Sequence, residues 1–168
     1  MDFHAAQVQG FVDLPVDHLL ASPVFTAYYL AETPRPGKVV VVSPDPGNLK
    51  VASYYQDLLD ADLAFINKRR KSATNVEMEN IVGDVAGKTI LMFDDMISTG
   101  GKIAEAAHTL KKNGAGKIYV AATHGVFAGD KSVEKLTNAP VERLVITDTI
   151  PTCVRGAPLC DRLTVLSV

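Results

Sequence analysis

Asp94 and Asp95, followed within a few residues by Ser98, Thr99, Gly100, Gly101 and Lys102, are the residues of this chain whose types and spacing do chemistry together. Glycines let backbone N–H groups turn toward an anion, the two hydroxyls add donors, and a helix beginning here contributes partial positive charge. Adjacent carboxylates suit another ligand, either vicinal sugar hydroxyls that donate to paired acceptors or a magnesium ion. A phosphate site next to a diol site describes a ribose phosphate. An isolated Asp-Asp pair is usually a solvated turn. A buried strand, two carboxylates, two hydroxyls and two glycines in succession are much less often only that.

These residues need elements to hold them. Residues 89–93 (Thr-Ile-Leu-Met-Phe) are too short a run for a helix and read as a buried parallel strand ending in the carboxylates. Ile103, Ala104, Ala107 and Leu110 then recur at helical spacing. Further strands are predicted over residues 38–43, 62–67, 80–85, 117–123, 143–147 and 163–166, and helices over 21–32, 49–59 and 133–136. The 49–59 helix is expected to turn Val51, Tyr55, Leu58 and Leu59 inward, and residues 68–79, without apolar period, read as a mobile loop. Strands alternating with helices predict a doubly wound α/β fold, a mainly parallel sheet with helices on both faces, formed by residues 1–168 as one domain. Ligands lie beyond the carboxyl ends of such strands. Three loops are expected to leave that edge together: residues 43–48, 68–71 and 94–102.

With 168 residues, 47% of them hydrophobic and 21% charged, the chain is long and apolar enough to bury a core. A net charge of −2 gives no electrostatic case for nucleic acid or an anionic membrane. The longest apolar runs have strand length, and no secretory pattern precedes them, so a cytoplasmic location is expected. Cys153 and Cys160 lack histidine partners at metal spacing and read as free thiols.

Other residues offer weaker signals. Asp45 sits in a second strand-to-helix loop, an anion or metal loop or an ordinary turn. Lys68, Arg69, Arg70 and Lys71 form a positive cluster. Such runs are usually solvated faces, but one on a loop over a phosphate site would neutralise charge on a transferred phosphoryl group. His4 is a structural histidine or a divalent-metal ligand, and His124 a site residue or a satisfied core histidine.

The central motif resembles the phosphoribosyl-diphosphate loop shared by type I phosphoribosyltransferases and ribose-phosphate pyrophosphokinases. The second family is singled out by Asp2-Phe3-His4-Ala5-Ala6-Gln7-Val8-Gln9-Gly10-Phe11, Leu14-Pro15-Val16-Asp17, Val42-Ser43-Pro44-Asp45, Lys68-Arg69-Arg70, Asn80-Ile81-Val82-Gly83-Asp84-Val85, Ala122-Thr123-His124-Gly125 and Thr147-Asp148-Thr149-Ile150-Pro151. These segments are similar to that family's, in its order, along almost the whole chain. The resemblance implies Mg²⁺-dependent transfer of the β,γ-diphosphoryl group of ATP to the 1-hydroxyl of ribose 5-phosphate. It assigns His4 and Asp45 to metal, Lys68 and Arg70 to a catalytic loop, and Asp94, Asp95, Ser98, Thr99, Gly100, Gly101 and Lys102 to ribose 5-phosphate.

It also implies differences. The matched region is the carboxy-terminal half of that family's chain. The amino-terminal half, which supplies much of the ATP site, is not among these residues, and the chain stops short of the family's usual final helix. Exposed apolar sheet surface and association are therefore expected, with a homo-oligomer or a partner supplying the other half, and the isolated chain need not be active. Lys102 stands where the family has a hydroxyl, Ser98 where many members have an aspartate, and Lys50 where an arginine is common. Two other readings stay open: a phosphoribosyltransferase using phosphoribosyl diphosphate as donor, and a non-catalytic regulatory or sugar-phosphate-binding subunit.

Overall fold

The computed structural model describes residues 1–32, 38–69, 78–151 and 157–168. In chain order the elements are α1 (Ser22–Glu32), β1 (Val39–Ser43), α2 (Leu49–Leu59), β2 (Asp62–Arg69), β3 (Met78–Val82), β4 (Thr89–Ile97) and α3 (Gly101–Lys112). They continue as β5 (Ile118–Gly125), α4 (Asp130–Asn138), β6 (Arg143–Thr147), α5 (Ala157–Cys160) and β7 (Leu163–Leu166), with short 3-10 turns at Ala6–Phe11 and Pro46–Asn48.

The seven strands lie in the order β3-β2-β1-β4-β5-β6-β7, parallel except where β3 runs antiparallel to β2. The chain winds outward from β1 to β3, then returns to lay β4 on the free side of β1. That reversal between β1 and β4 opens a crevice at the carboxyl end of the sheet.

Period-two alternation in the buried strands sends successive side chains to opposite faces, and each face has its own core. On one side Val40, Val42, Ile90, Met92, Val120 and Ile146 meet Ile103, Ala107 and Leu110 of α3 and Leu136 of α4. On the other, Val39, Val41, Leu91 and Phe93 meet Phe25 and Tyr29 of α1 and Tyr55 of α2. The doubly wound, mainly parallel fold is as the sequence predicts.

Several local expectations change. β4 does not stop before the carboxylates: it runs through Asp94 and Asp95 to Ile97, because β5 continues beside it (Asp94 opposite Ala122, Met96 opposite His124). Lys68 and Arg69 belong to β2, opposite Glu79 and Met78 of β3, where a mobile loop was expected. On α2 the inward residues are Ala52 and Tyr55, with Leu59 partly buried against the same core, whereas Val51 and Leu58 are exposed. α4 begins at Asp130, ahead of the expected position, and α5 was not foreseen. Arg70, Lys71 and Cys153 lie outside the described residues. At the β7 edge Val165 is exposed. No helix among the described residues is long and apolar enough to cross a membrane.

Candidate functional site

β1 and β4 deliver the site. β1 ends at Ser43, and its loop is fixed by Asp45, whose carboxylate Oδ1 accepts the Asn48 backbone N–H at 3.0 Å and so caps the 3-10 turn. The Asn48 side-chain amide then donates to the carbonyl of Phe93 at 2.7 Å, tying this loop to β4 just before Asp94. On β4 the Asp95 N–H donates to Asp94 Oδ1 at 3.0 Å and the Met96 N–H to Asp95 Oδ1 at 2.9 Å, so each carboxylate is oriented by the backbone beyond it.

Lys102, in the first turn of α3, reaches back to both loops. Its Nζ lies 2.8 Å from Asp45 Oδ2 and 3.4 Å from Asp94 Oδ2. His4 Nδ1 lies 2.6 Å from Asp95 Oδ2. Burial pushes the Asp94 carboxyl up, and Asp95 beside it adds to this against the pull of Lys102, leaving it above the ordinary value. At Asp45 burial also pushes up, but the Lys102 ammonium and backbone N–H groups outweigh it and hold the carboxyl below the ordinary range. Burial alone would lower the Lys102 ammonium; Asp45 and Asp94 more than reverse this.

These groups face one cavity of about 600 Å³, whose wall includes His4, Asp45, Asp94, Asp95 and Lys102. The sequence reasoning named all five. It gave no role to other parts of the wall. Val51 and Tyr54 are α2 residues that line the cavity, which accounts for apolar side chains that the core does not use. Tyr55 stacks on Phe93, ring centroids 3.6 Å apart and planes within 5°, and so braces the strand that carries the carboxylates. Phe3 stacks on His18 at 5.0 Å, and the His18 Nε2 accepts the Phe3 N–H. Asp2 closes the base of this lobe: its Oδ2 accepts the Ala21 N–H at 3.0 Å and the Thr123 hydroxyl at 2.6 Å. The sequence reading turned Val51 into the core and so missed its place on the cavity wall, and nothing in the sequence pairs Asp2 with Thr123.

Ser98, Thr99, Gly100 and Gly101 are not among the cavity-lining residues. They form the turn between β4 and α3, held by the Ala128 N–H to the Ser98 carbonyl at 2.9 Å and by the Ala104 N–H to the Gly100 carbonyl at 2.9 Å. Gly100 has φ +67°, and a Cβ there would stand 2.8 Å from Leu136 Cγ. This left-handed residue is the N-cap of α3. His124 is a tether: its ring contacts the Thr149 hydroxyl at 2.8 Å and the carbonyls of Met1 and Asp2 at 3.1 and 3.3 Å. Lys68 is located through its backbone in β2, and Arg70 lies outside the described residues.

As held here, His4 and Asp45 do not make a Mg²⁺ cage by themselves. His4 Nδ1 is engaged by Asp95, Asp45 by Lys102 and Asn48, and no group of three His, Cys, Asp or Glu able to hold a metal gathers among the described residues. The arrangement sets two oriented, acceptor-bearing carboxylates a few residues before a glycine-rich helix start.

Residues 76–167 match the phosphoribosyl synthetase-associated domain. The chain is 47% identical over 169 residues to a ribose-phosphate pyrophosphokinase of Rhodopirellula baltica, covering 100% of this chain and 52% of that protein. It is 46% identical over 151 residues to one of Caldanaerobacter subterraneus, covering 90% and 47%. The chain thus spans about half the length of the curated relatives it matches. Among solved structures, phosphoribosylpyrophosphate synthetase from Mycobacterium smegmatis is similar with TM-score 0.82 and 41% identity, over 99% of this chain and 52% of that one. A purine phosphoribosyltransferase from Pyrococcus horikoshii shares the fold, with TM-score 0.52 and 17% identity, over 88% of this chain and 84% of that one.

Proposed function

Since the chain belongs to the ribose-phosphate pyrophosphokinase family, we propose that its carboxyl edge is the ribose 5-phosphate half of that family's diphosphoryl-transfer site. The observation that carries this is the juxtaposition at the β1–β4 crevice. Two oriented carboxylates end one side of the cavity, and a glycine-rich helix start follows them directly.

In this reading the N–H groups of the turn and the hydroxyls of Ser98 and Thr99 take the 5′-phosphate, with Gly100 and Gly101 allowing the close approach. Asp94 and Asp95 accept the ribose hydroxyls, and Lys102 belongs to the same loop. The 1-hydroxyl oxygen bonds to the β-phosphorus of ATP while the bond from that phosphorus to the α-phosphate oxygen breaks, and AMP leaves. The protein's part is positioning and charge stabilisation. Lys68 and Arg70 neutralise the transferred group. A Mg²⁺ ion serving this chemistry through His4 and Asp45 would have to displace Lys102 from Asp45 and Asp95 from His4, and phosphate oxygens would have to complete its shell.

The 168 residues act as a single phosphoribosyltransferase-like domain, the carboxy-terminal half of the enzyme. The ATP site would be completed by a second half, supplied through a homo-oligomer or by a partner, in the cytoplasm. The chain alone is therefore expected to bind sugar phosphate without turning over.

Calorimetric titration with ribose 5-phosphate, with and without Mg²⁺, tests the site. Binding by the wild type, lost when Asp94→Ala and Asp95→Ala are combined, is expected. No heat from a well-folded wild type, or undiminished binding by the double variant, overturns the assignment.

A further inference from the structure

Lys102 uses its charge in an unexpected place. It stands in the turn that would hold a phosphate, yet its ammonium lies at Asp45 Oδ2 and Asp94 Oδ2, 2.8 and 3.4 Å away. The two carboxylates come from different loops, one after β1 and one on β4, and Lys102 comes from α3. Asp45 is held by the Asn48 N–H and Asp94 by the Asp95 N–H, with Asn48 also tying the two loops together, so the lysine fills a gap between acceptors that are set without it. The two carboxylates are partly buried, with Asp94 only 18% exposed, while the Lys102 side chain is 45% exposed, so the charges are only partly shielded from solvent.

A divalent cation at Asp45 would need the oxygen that Lys102 occupies. An ion there would meet an ammonium at hydrogen-bond distance from its own ligand, and the two positive charges would repel. His4, on the same cavity wall, is held by Asp95 and adds no second donor beside Asp45 in this arrangement. The failure of His4 and Asp45 to make a metal cage is thereby explained by a residue of this chain, not by a missing carboxylate.

We propose that Lys102 is a resident counter-ion for Asp45 and Asp94, and that it suppresses divalent-cation binding at this edge of the cavity. It is a positioning residue that locks the β1 loop to the start of α3 and sets how readily a metal reaches Asp45. The proposal rests on the functional reading above for the kind of ion excluded, and on the two ion pairs for the rest. Loss of sugar-phosphate binding would leave it standing.

The test is Mn²⁺ titration of the whole chain, without sugar phosphate or nucleotide, followed by electron paramagnetic resonance of the free ion. Lys102→Met should bind Mn²⁺ at least about tenfold more tightly than the wild type, the scale of one removed unit charge at this distance in a partly wet site. Lys102→Arg, which keeps the charge, should remain as weak as the wild type. Adding Asp45→Asn to Lys102→Met should abolish the gain. Lys102→Gln is the second neutral variant should the methionine disturb folding, which circular dichroism would reveal. Equal Mn²⁺ affinity in the wild type and both neutral variants overturns the proposal. So does tight binding by Lys102→Arg, or a gain that survives Asp45→Asn. A purely structural lysine would lower stability on removal without tightening any metal.

Discussion

Gly100 and Gly101 are neighbours in the proposed phosphate turn, yet replacement by alanine should be costly at the first and nearly neutral at the second. Gly100 has φ +67°, and a left-handed conformation costs a residue with a Cβ about 1–2 kcal/mol. Its added Cβ would also stand 2.8, 3.0 and 3.1 Å from Leu136 Cγ, Cδ1 and Cδ2. Leu136 has no exposed surface and sits among the α3–α4 core residues, so it has no empty space to retreat into. Overpacking of that kind costs about 1–3 kcal/mol. Together Gly100→Ala should lose roughly 3 kcal/mol, lowering the melting temperature of a chain this size by about 6–12 °C. Gly101 has no positive φ, and its Cβ would find its nearest neighbours at 3.8 and 3.9 Å, ordinary contact. Gly101→Ala should stay within about 0.5 kcal/mol of the wild type. Urea unfolding followed by circular dichroism, with thermal melts alongside, measures both. If Gly100→Ala proves as stable as Gly101→Ala, the geometry assigned to the turn is wrong.

Other outcomes follow from the same reasoning. Tyr55→Ala removes the ring stacked on Phe93 and should cost about 3 kcal/mol or more in urea unfolding; a loss under about 1 kcal/mol would show that the stack does not brace β4. Thr147→Val strips a buried hydroxyl that donates to the Thr123 carbonyl at 2.7 Å, and should cost about 1–2 kcal/mol with the fold intact. Asp45 titrates lower folded than unfolded, so on acidification the unfolded chain takes up the proton first, and the stability Asp45 contributes is lost as pH falls through the folded value. The stability gap between wild type and Asp45→Asn, measured by urea unfolding across pH, should therefore be complete at neutral pH and close in acid; a gap that widens in acid would reverse the sign argued for Lys102.

Much of this architecture was legible because buried parallel strands write themselves as short, nearly continuous apolar runs. Val39 to Val42 and Thr89 to Phe93 could be little else, and their alternation with helical segments fixed the sheet class. Hydrophobicity, however, stops reporting where a strand leaves the core. Asp94 and Asp95 extend β4 only because β5 supplies backbone partners, and Lys68 and Arg69 extend β2 only because β3 does. Ladder pairing is a relation between distant segments, and no local pattern carries it. α2 misled for another reason at Val51, which lines a cavity, so apolar character there marks the cavity wall and not the core; Leu58, also expected inward, is exposed and is not among the cavity-lining residues. Residue types announced the carboxylates, the glycines and His4, but not their pairing. His4 meets Asp95 across 91 positions and Asp2 meets Thr123 across 121, and only the folded chain brings them together.

The place of β4 has a consequence for how the molecule acquires its site in time. β1 is made early in the chain, but its partner across the crevice arrives only after α2, β2 and β3 have been traversed. Asp45 and Asp94 thus come together by closing a long loop, a slow event compared with forming either flanking helix. During refolding, helical signal should appear before the crevice exists, and any ligand of the crevice should be captured only in the closing phase. A sugar phosphate added to a refolding mixture would then serve as a clock for β1–β4 docking, silent through collapse and responsive once the two halves of the sheet have met.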